Sequence, residues 1–157
     1  PNRVGGAALQ KNLETLGDII YTEEEIDFAL EMQRNNGKPE LGIDGIIRPL
    51  RETLESPGGG STDSGDVSYN VPVVSLAATT APKGVPWHSW SVVASSGMSI
   101  GHKGMLHAAK ALGMTMVDIF KDSKLREDIK KEFDEKIGEY EYDPYLDPGP
   151  PPIDYVD

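Results

Sequence analysis

The chain has no cysteine, which excludes disulfides, thiolate nucleophiles and thiolate metal sites and is compatible with a cytoplasmic location, the expectation here. It has no apolar run near the ~18 residues that cross a bilayer and no basic-then-apolar opening signal, so a soluble protein without a membrane partner is expected. Positive charge is scarce: 15 Lys and Arg stand against 26 Asp and Glu, a formal net charge of -11. Nucleic-acid binding needs clustered cations to neutralise phosphates, and no such partner is expected. Histidine is limited to His88, His102 and His107; the last two are five apart and do not form the i, i+4 pair of a helical zinc site. No Gly-x-Ser-x-Gly occurs, and no Gly-Lys-Ser/Thr follows the glycine-rich stretch, so neither a nucleophile elbow nor a Walker phosphate loop is present. Pro1 is not a start methionine, as expected of a processed chain or of part of a longer one.

What is present is a chain of 157 residues, enough for one core, with 17 Gly and 12 Pro marking many loops. Residues 2–17 place Val4, Ala8, Leu9, Leu13 and Leu16 on one helical stripe, with Asn2 as cap and Gly17 as stop. Thr22 and Glu25 have capping-box spacing before a second helix whose inner face is Ile26, Ala29, Leu30 and Gln33 and which ends at Asn35, Asn36 and Gly37. The run Glu23, Glu24, Glu25 is read as helix-start charge, with no chemistry assigned.

Residues 38–66 lose periodicity and read as loop. VPVVSLAATT, residues 71–80, reads as a strand buried on both faces of a parallel sheet, with Pro72 at its start. A Pro/Gly loop follows and turns, at His88, into a second extended run in which Trp90, Val92 and Ala94 alternate with Ser89, Ser91 and Val93. From Ser99 a helix carries Leu106, Ala109, Leu112, Gly113, Met116, Val117 and Phe120 on a broad apolar face suited to packing on a sheet, with small residues Ala108, Ala109 and Gly113 for close approach. A surface helix follows from Lys121 to Gly138, with Leu125, Ile129, Phe133 and Ile137 inward. Residues 1–138 therefore read as one α/β unit, and residues 139–157, with five prolines and four tyrosines, as an acidic extended tail draped on the body.

Two segments carry candidate chemistry. PGGGSTDSGD offers glycine backbone N–H groups and the side chains of Ser61, Thr62 and Asp63 to a carboxylate or phosphate; a flexible connector has the same composition. In GVPWHSW, His88 stands between Trp87 and Trp90, where local spacing alone favours a packed, hydrogen-bonded imidazole over a metal ligand.

The order of these features is more specific than any one of them. GSTDSGDVS, then the strand, then PWHSW, then SIGHKGM opening a helix resembles the C-terminal segment of the zinc-dependent aminoacylase and carboxypeptidase-type amidohydrolases, most densely over residues 60–120. The resemblance implies the C-terminal part of a three-layer αβα zinc-peptidase-like catalytic domain, beginning after the lid and incomplete without the upstream half. It implies that His88 is a metal ligand, with Trp87 and Trp90 as an apolar wall, and that Gly59, Gly60, Ser61, Thr62 and Asp63 bind substrate. Zinc or another divalent metal, two ions in the complete enzyme, is the implied cofactor, and the implied substrate is a small amide with a free carboxylate, an N-acyl amino acid or aminobenzoyl-glutamate-like compound. The remaining ligands and the general base are expected upstream, so this chain alone is expected to be inactive and the complete enzyme oligomeric. The alternative is a non-catalytic binding or assembly module that uses the Pro/Tyr tail.

Overall fold

A computed structural model describes residues 2–51, 62–144 and 149–150. Among these residues there are six helices and no strand: α1 Arg3–Leu16, α2 Glu23–Asn35, α3 Ser64–Asn70, α4 Trp90–Ser96, α5 Ser99–Lys121 and α6 Ser123–Ile137. The expected α/β, three-layer αβα architecture is thereby overturned. A strand needs a neighbour to complete its ladder, and the run 71–80 lies against helices instead. Val73 O accepts from Asn2 N at 3.4 Å, a Cβ added at Gly5 would come within 2.5 Å of Val74 Cγ2, and one added at Gly104 would come within 2.1 Å of Thr79 O. The second expected extended run is helix α4. Ser91 and Ser95, one turn apart, are fully buried while Trp90 and Val93 are exposed, so a helical stripe of hydroxyl residues faces inward beneath an apparent twofold alternation. The last residues of the expected loop 38–66 open α3, which runs up to the start of the expected strand.

The helix ends follow their local chemistry. Asn2 Oδ1 accepts from Gly5 N at 2.8 Å while its Nδ2 donates to Ile129 O at 2.8 Å, so the cap of α1 also ties it to α6. Glu132 accepts from Arg3 N and Val4 N, both at 2.7 Å, which puts a carboxylate on the positive end of the α1 dipole. Thr22 and Glu25 form the full capping box of α2, and Gly17 ends α1 with φ 76°. The inner face of α2 keeps Ala29 and Gln33 of the expected set, but Glu25 and Met32 complete it in place of Ile26 and Leu30, and Ile26 is exposed.

Helix α1 packs against α5 and α6, and α4 and α6 both meet α5. Leu9, Ala29, Met32, Val85, Ile100, Ala111 and Ile129 form the buried apolar core, joined by Asn12, whose Nδ2 donates to Thr115 Oγ1 (3.0 Å) and Asp118 Oδ2 (2.8 Å). The close approaches on α5 are made by Gly101, whose added Cβ would lie 2.2 Å from Ser96 O, and Gly104; Gly113 faces open space. Beyond α6, Tyr140 lies tilted against Tyr69 of α3 at 5.0 Å between ring centres and Tyr142 stacks on it at 6.0 Å, so the described start of the tail folds back on the body. No helix among the described residues is long and apolar enough to cross a membrane.

Candidate functional site

His88 lies in the turn that delivers the chain from the core residue Val85 into α4. Its φ of 59° makes it the one non-glycine residue with positive φ among the described residues. A β-carbon in this left-handed region costs roughly 1–2 kcal/mol, and the surrounding turn holds it there. Ser89 Oγ donates to Pro86 O, and the base of the loop is fastened to α2 by the fully buried Gln33, whose Nε2 donates to Lys83 O at 2.8 Å and Gly42 O at 3.0 Å and whose Oε1 accepts from Gly42 N at 2.9 Å. The imidazole is exposed and makes no hydrogen bond or ion pair among the described residues. Trp87 and Trp90 are exposed on either side of it, Trp87 by 70%.

The other two histidines sit differently. His102 is exposed in the first turn of α5, and His107 Nε2 lies 2.8 Å from Gly17 O at the end of α1. In the glycine-rich loop, Gly59, Gly60 and Ser61 lie outside the described residues. Thr62 Oγ1 accepts from Ser64 N at 3.3 Å at the start of α3, and Asp63 is exposed at the N-cap position without a side-chain capping bond. A cleft of about 870 Å³ runs between α1, residues 44–51 and residues 73–85. Trp87 and His107 line it, whereas His88, Thr62 and Asp63 do not.

Two polar clusters escaped sequence reasoning because their members are far apart in the chain. Glu25 Oε2 accepts from Lys103 Nζ at 2.6 Å, and Lys103 also donates to Ile20 O at 2.9 Å and lies over the Tyr21 ring. Burial alone would raise the pKa of Glu25, but hydrogen bonds from Lys103, Ser99 and Thr22 hold it down at about 2. Lys103 is thus engaged within the fold. Asp44 is likewise lowered to about 2 by the Ile46 N–H, Lys83 and Arg48. Between these carboxylates, the Tyr21 hydroxyl is buried without a hydrogen-bond partner among the described residues, and burial, then Glu25 and Asp44, push its pKa up.

A catalytic zinc site takes three protein ligands and an open position. Among the described residues no group of three or more His, Cys, Asp and Glu side chains comes together. They do not form a metal site by themselves; a free imidazole such as His88 fits only as a single donor to a site completed by other groups.

No family model matches the chain, and no solved structure matches it. One comparison makes the chain a relative of a hydrolase subunit. That relative is the B-subunit of p-aminobenzoyl-glutamate hydrolase from Escherichia coli (strain K12), to which this chain is 32% identical over 156 aligned positions, taking in 84% of the chain and 32% of the relative. The chain spans about a third of the length of the curated relative it matches. The likeness expected from the order of GSTDSGDVS, PWHSW and SIGHKGM is borne out.

Proposed function

We propose that this chain is part of a metal-dependent amidohydrolase acting on an N-acyl amino acid or an aminobenzoyl-glutamate-like amide, and that His88 is the metal ligand it contributes. The observation that carries the reading is the 32% identity to a hydrolase subunit over 84% of the chain. The choice of His88 is supported by its exposed, unpaired imidazole and its costly backbone conformation, since strain of this kind concentrates at functional positions.

A bound zinc or other divalent ion, two in the complete enzyme, supplies Lewis acidity toward the amide carbonyl and lowers the pKa of water. The chain's own residues bind and orient. His88 presents a nitrogen donor on a turn anchored through Gln33, and the exposed Trp87 and Trp90 supply apolar surface that excludes water. Gly59, Gly60, Ser61 and Thr62 supply N–H and hydroxyl donors toward the substrate carboxylate, with Asp63 beside them as an acceptor. The remaining ligands and the general base come from polypeptide beyond this chain, so the chain alone is inactive and the working enzyme is an assembly.

Metal content tests the reading. In the assembled hydrolase, His88→Ala is expected to lose metal by elemental analysis while keeping its helical circular dichroism, and His102→Ala to keep both. Full metal occupancy in His88→Ala would remove that residue from the site.

A further inference from the structure

Helix α3 has seven residues, well short of the ~12–15 at which an isolated helix becomes stable in water, so its helicity depends on support from elsewhere in the chain. It buries none of its residues, and its N-cap Asp63 makes no side-chain bond. The support comes from the start of the tail. Helix α6 packs on α1 and α5, Gly138 turns the chain out of it at φ 58°, and Tyr140 N donates back to Ile137 O at 3.1 Å. From that base the Tyr140 ring tilts against Tyr69 at 5.0 Å and the Tyr142 ring stacks on it at 6.0 Å. The Tyr142 hydroxyl also donates to the carboxylate of Asp66, in the first turn of α3. Among the described residues, the other hydrogen bonds of α3 stay within residues 62–71.

The two ends of α3 are held differently. Past its last residue the chain is fastened to α1, where Asn2 N donates to Val73 O at 3.4 Å and Val74 lies against Gly5. At its first turn, among the described residues, the tie to another part of the chain is the bond from Tyr142 to Asp66. That turn carries Thr62 and Asp63. Gly65 N donates to Thr62 O at 3.0 Å, Val67 N donates to Asp63 O at 3.3 Å, and Thr62 Oγ1 accepts from Ser64 N at 3.3 Å. Unwinding α3 breaks these bonds and releases both residues. Glu141 and Asp143, which flank Tyr142, add like charge near Asp66, so the ring contacts and the hydroxyl bond hold the tail there against repulsion.

We infer that Tyr140 and Tyr142 are positioning residues for substrate: by clasping Tyr69 and Asp66 they keep α3 wound, and through it hold Thr62 and Asp63 in place for the carboxylate end of the substrate. The inference rests on the proposed function for the role of Thr62 and Asp63. Neither tyrosine is asked to touch substrate or metal, so the clasp acts on substrate affinity and not on the chemical step.

Two readouts test this: amide hydrogen exchange of the full chain, and steady-state cleavage of p-aminobenzoyl-glutamate by the assembled hydrolase. The double variant Tyr140→Ala with Tyr142→Ala is expected to speed exchange of the Val67 and Val71 amides at least ~10-fold, the scale of two aromatic pairs, while α1, α2 and α5 exchange as before. In the assembly it should raise KM by a similar factor and leave kcat within about twofold. Tyr140→Phe should keep wild-type behaviour, and Tyr142→Phe, which retains the ring but not the bond to Asp66, should fall between. Tyr69→Ala should reproduce the double variant, and combining all three should add nothing further, because the same contacts are lost from either side. An unchanged KM, unchanged exchange over α3, fully additive effects, or a fall in kcat with faster exchange in α1 and α5 would each overturn the inference. Calorimetric binding of p-aminobenzoyl-glutamate to the assembly separates the two claims. Tyrosine-dependent binding without cleavage counts against the hydrolase reading alone, cleavage with a tyrosine-independent KM counts against the clasp alone, and a wild-type assembly that does not bind the compound overturns both.

Discussion

Replacing Gln33 with leucine keeps nearly the same volume and removes the amide that joins α2 to two loops. Gln33 is fully buried, and the substitution orphans two backbone groups, Gly42 N–H and Lys83 C=O, while Gly42 C=O keeps the Lys83 N–H at 3.1 Å. Each orphaned group costs ~1–3 kcal/mol if water cannot reach it and less if it can. These bonds are partly buried, so a total of about 2 kcal/mol is expected, which lowers Tm by roughly 6 °C for a chain of this size. Urea unfolding followed by circular dichroism should show a lower midpoint with an unchanged slope. Hydrogen exchange should show the Gly42 amide and residues 83–89 opening first, because the Lys83 bond anchors the turn that holds His88 at positive φ. A loss below about 1 kcal/mol, or exchange unchanged over residues 83–89, would show that Gln33 does not position that turn.

Gly104→Ala puts a methyl 2.1 Å from Thr79 O and should destabilise by about 2–3 kcal/mol in thermal unfolding, whereas Gly113→Ala, into open space, should stabilise by up to ~1 kcal/mol. Glu25, Asp44 and Glu132 are all held at about 2, from ordinary values of 4.5, 3.8 and 4.5. A depressed carboxylate contributes stability above its unfolded pKa and loses it as pH falls through the folded one. Stability should therefore be flat above about pH 5 and decline from pH 4.5 toward 2, and Lys103→Met should lower stability at pH 7 more than at pH 2; an equal loss at both would mean the pair with Glu25 contributes nothing.

Helix ends were legible in the sequence because capping is local: Asn2 and Gly5, or Thr22 and Glu25, lie within one turn of each other. The run 71–80 was misread because apolar, β-branched composition says that a segment is covered without saying by what, and helices cover it here. Helix α4 was misread because its inward face is Ser91 and Ser95, which carry no hydrophobic signal; Ser91 Oγ donates to Asn36 at 2.9 Å instead. On α5 the stripe expected to pack inward is exposed, and the buried side is Ile100, Gly101, Gly104, Ala111 and Thr115, whose small and polar members carry no hydrophobic signal. At the candidate site, the Trp-flanked His88 could be singled out by position, yet its positive φ could not be, since nothing at Trp87-His88-Ser89 is a glycine or asparagine. The Glu25–Lys103 pair spans 78 residues and was beyond any local rule.

Cleavage of p-aminobenzoyl-glutamate, measured for this chain alone and assembled with the rest of the hydrolase, wild type against His88→Ala, is the most direct measurement of whether the chain contributes a metal ligand to an amidohydrolase. No cleavage is expected from the chain alone. The wild-type assembly is expected to cleave, and His88→Ala to lower the rate at least ~100-fold. Cleavage by the His88→Ala assembly at the wild-type rate, or no cleavage by the wild-type assembly, would contradict that role.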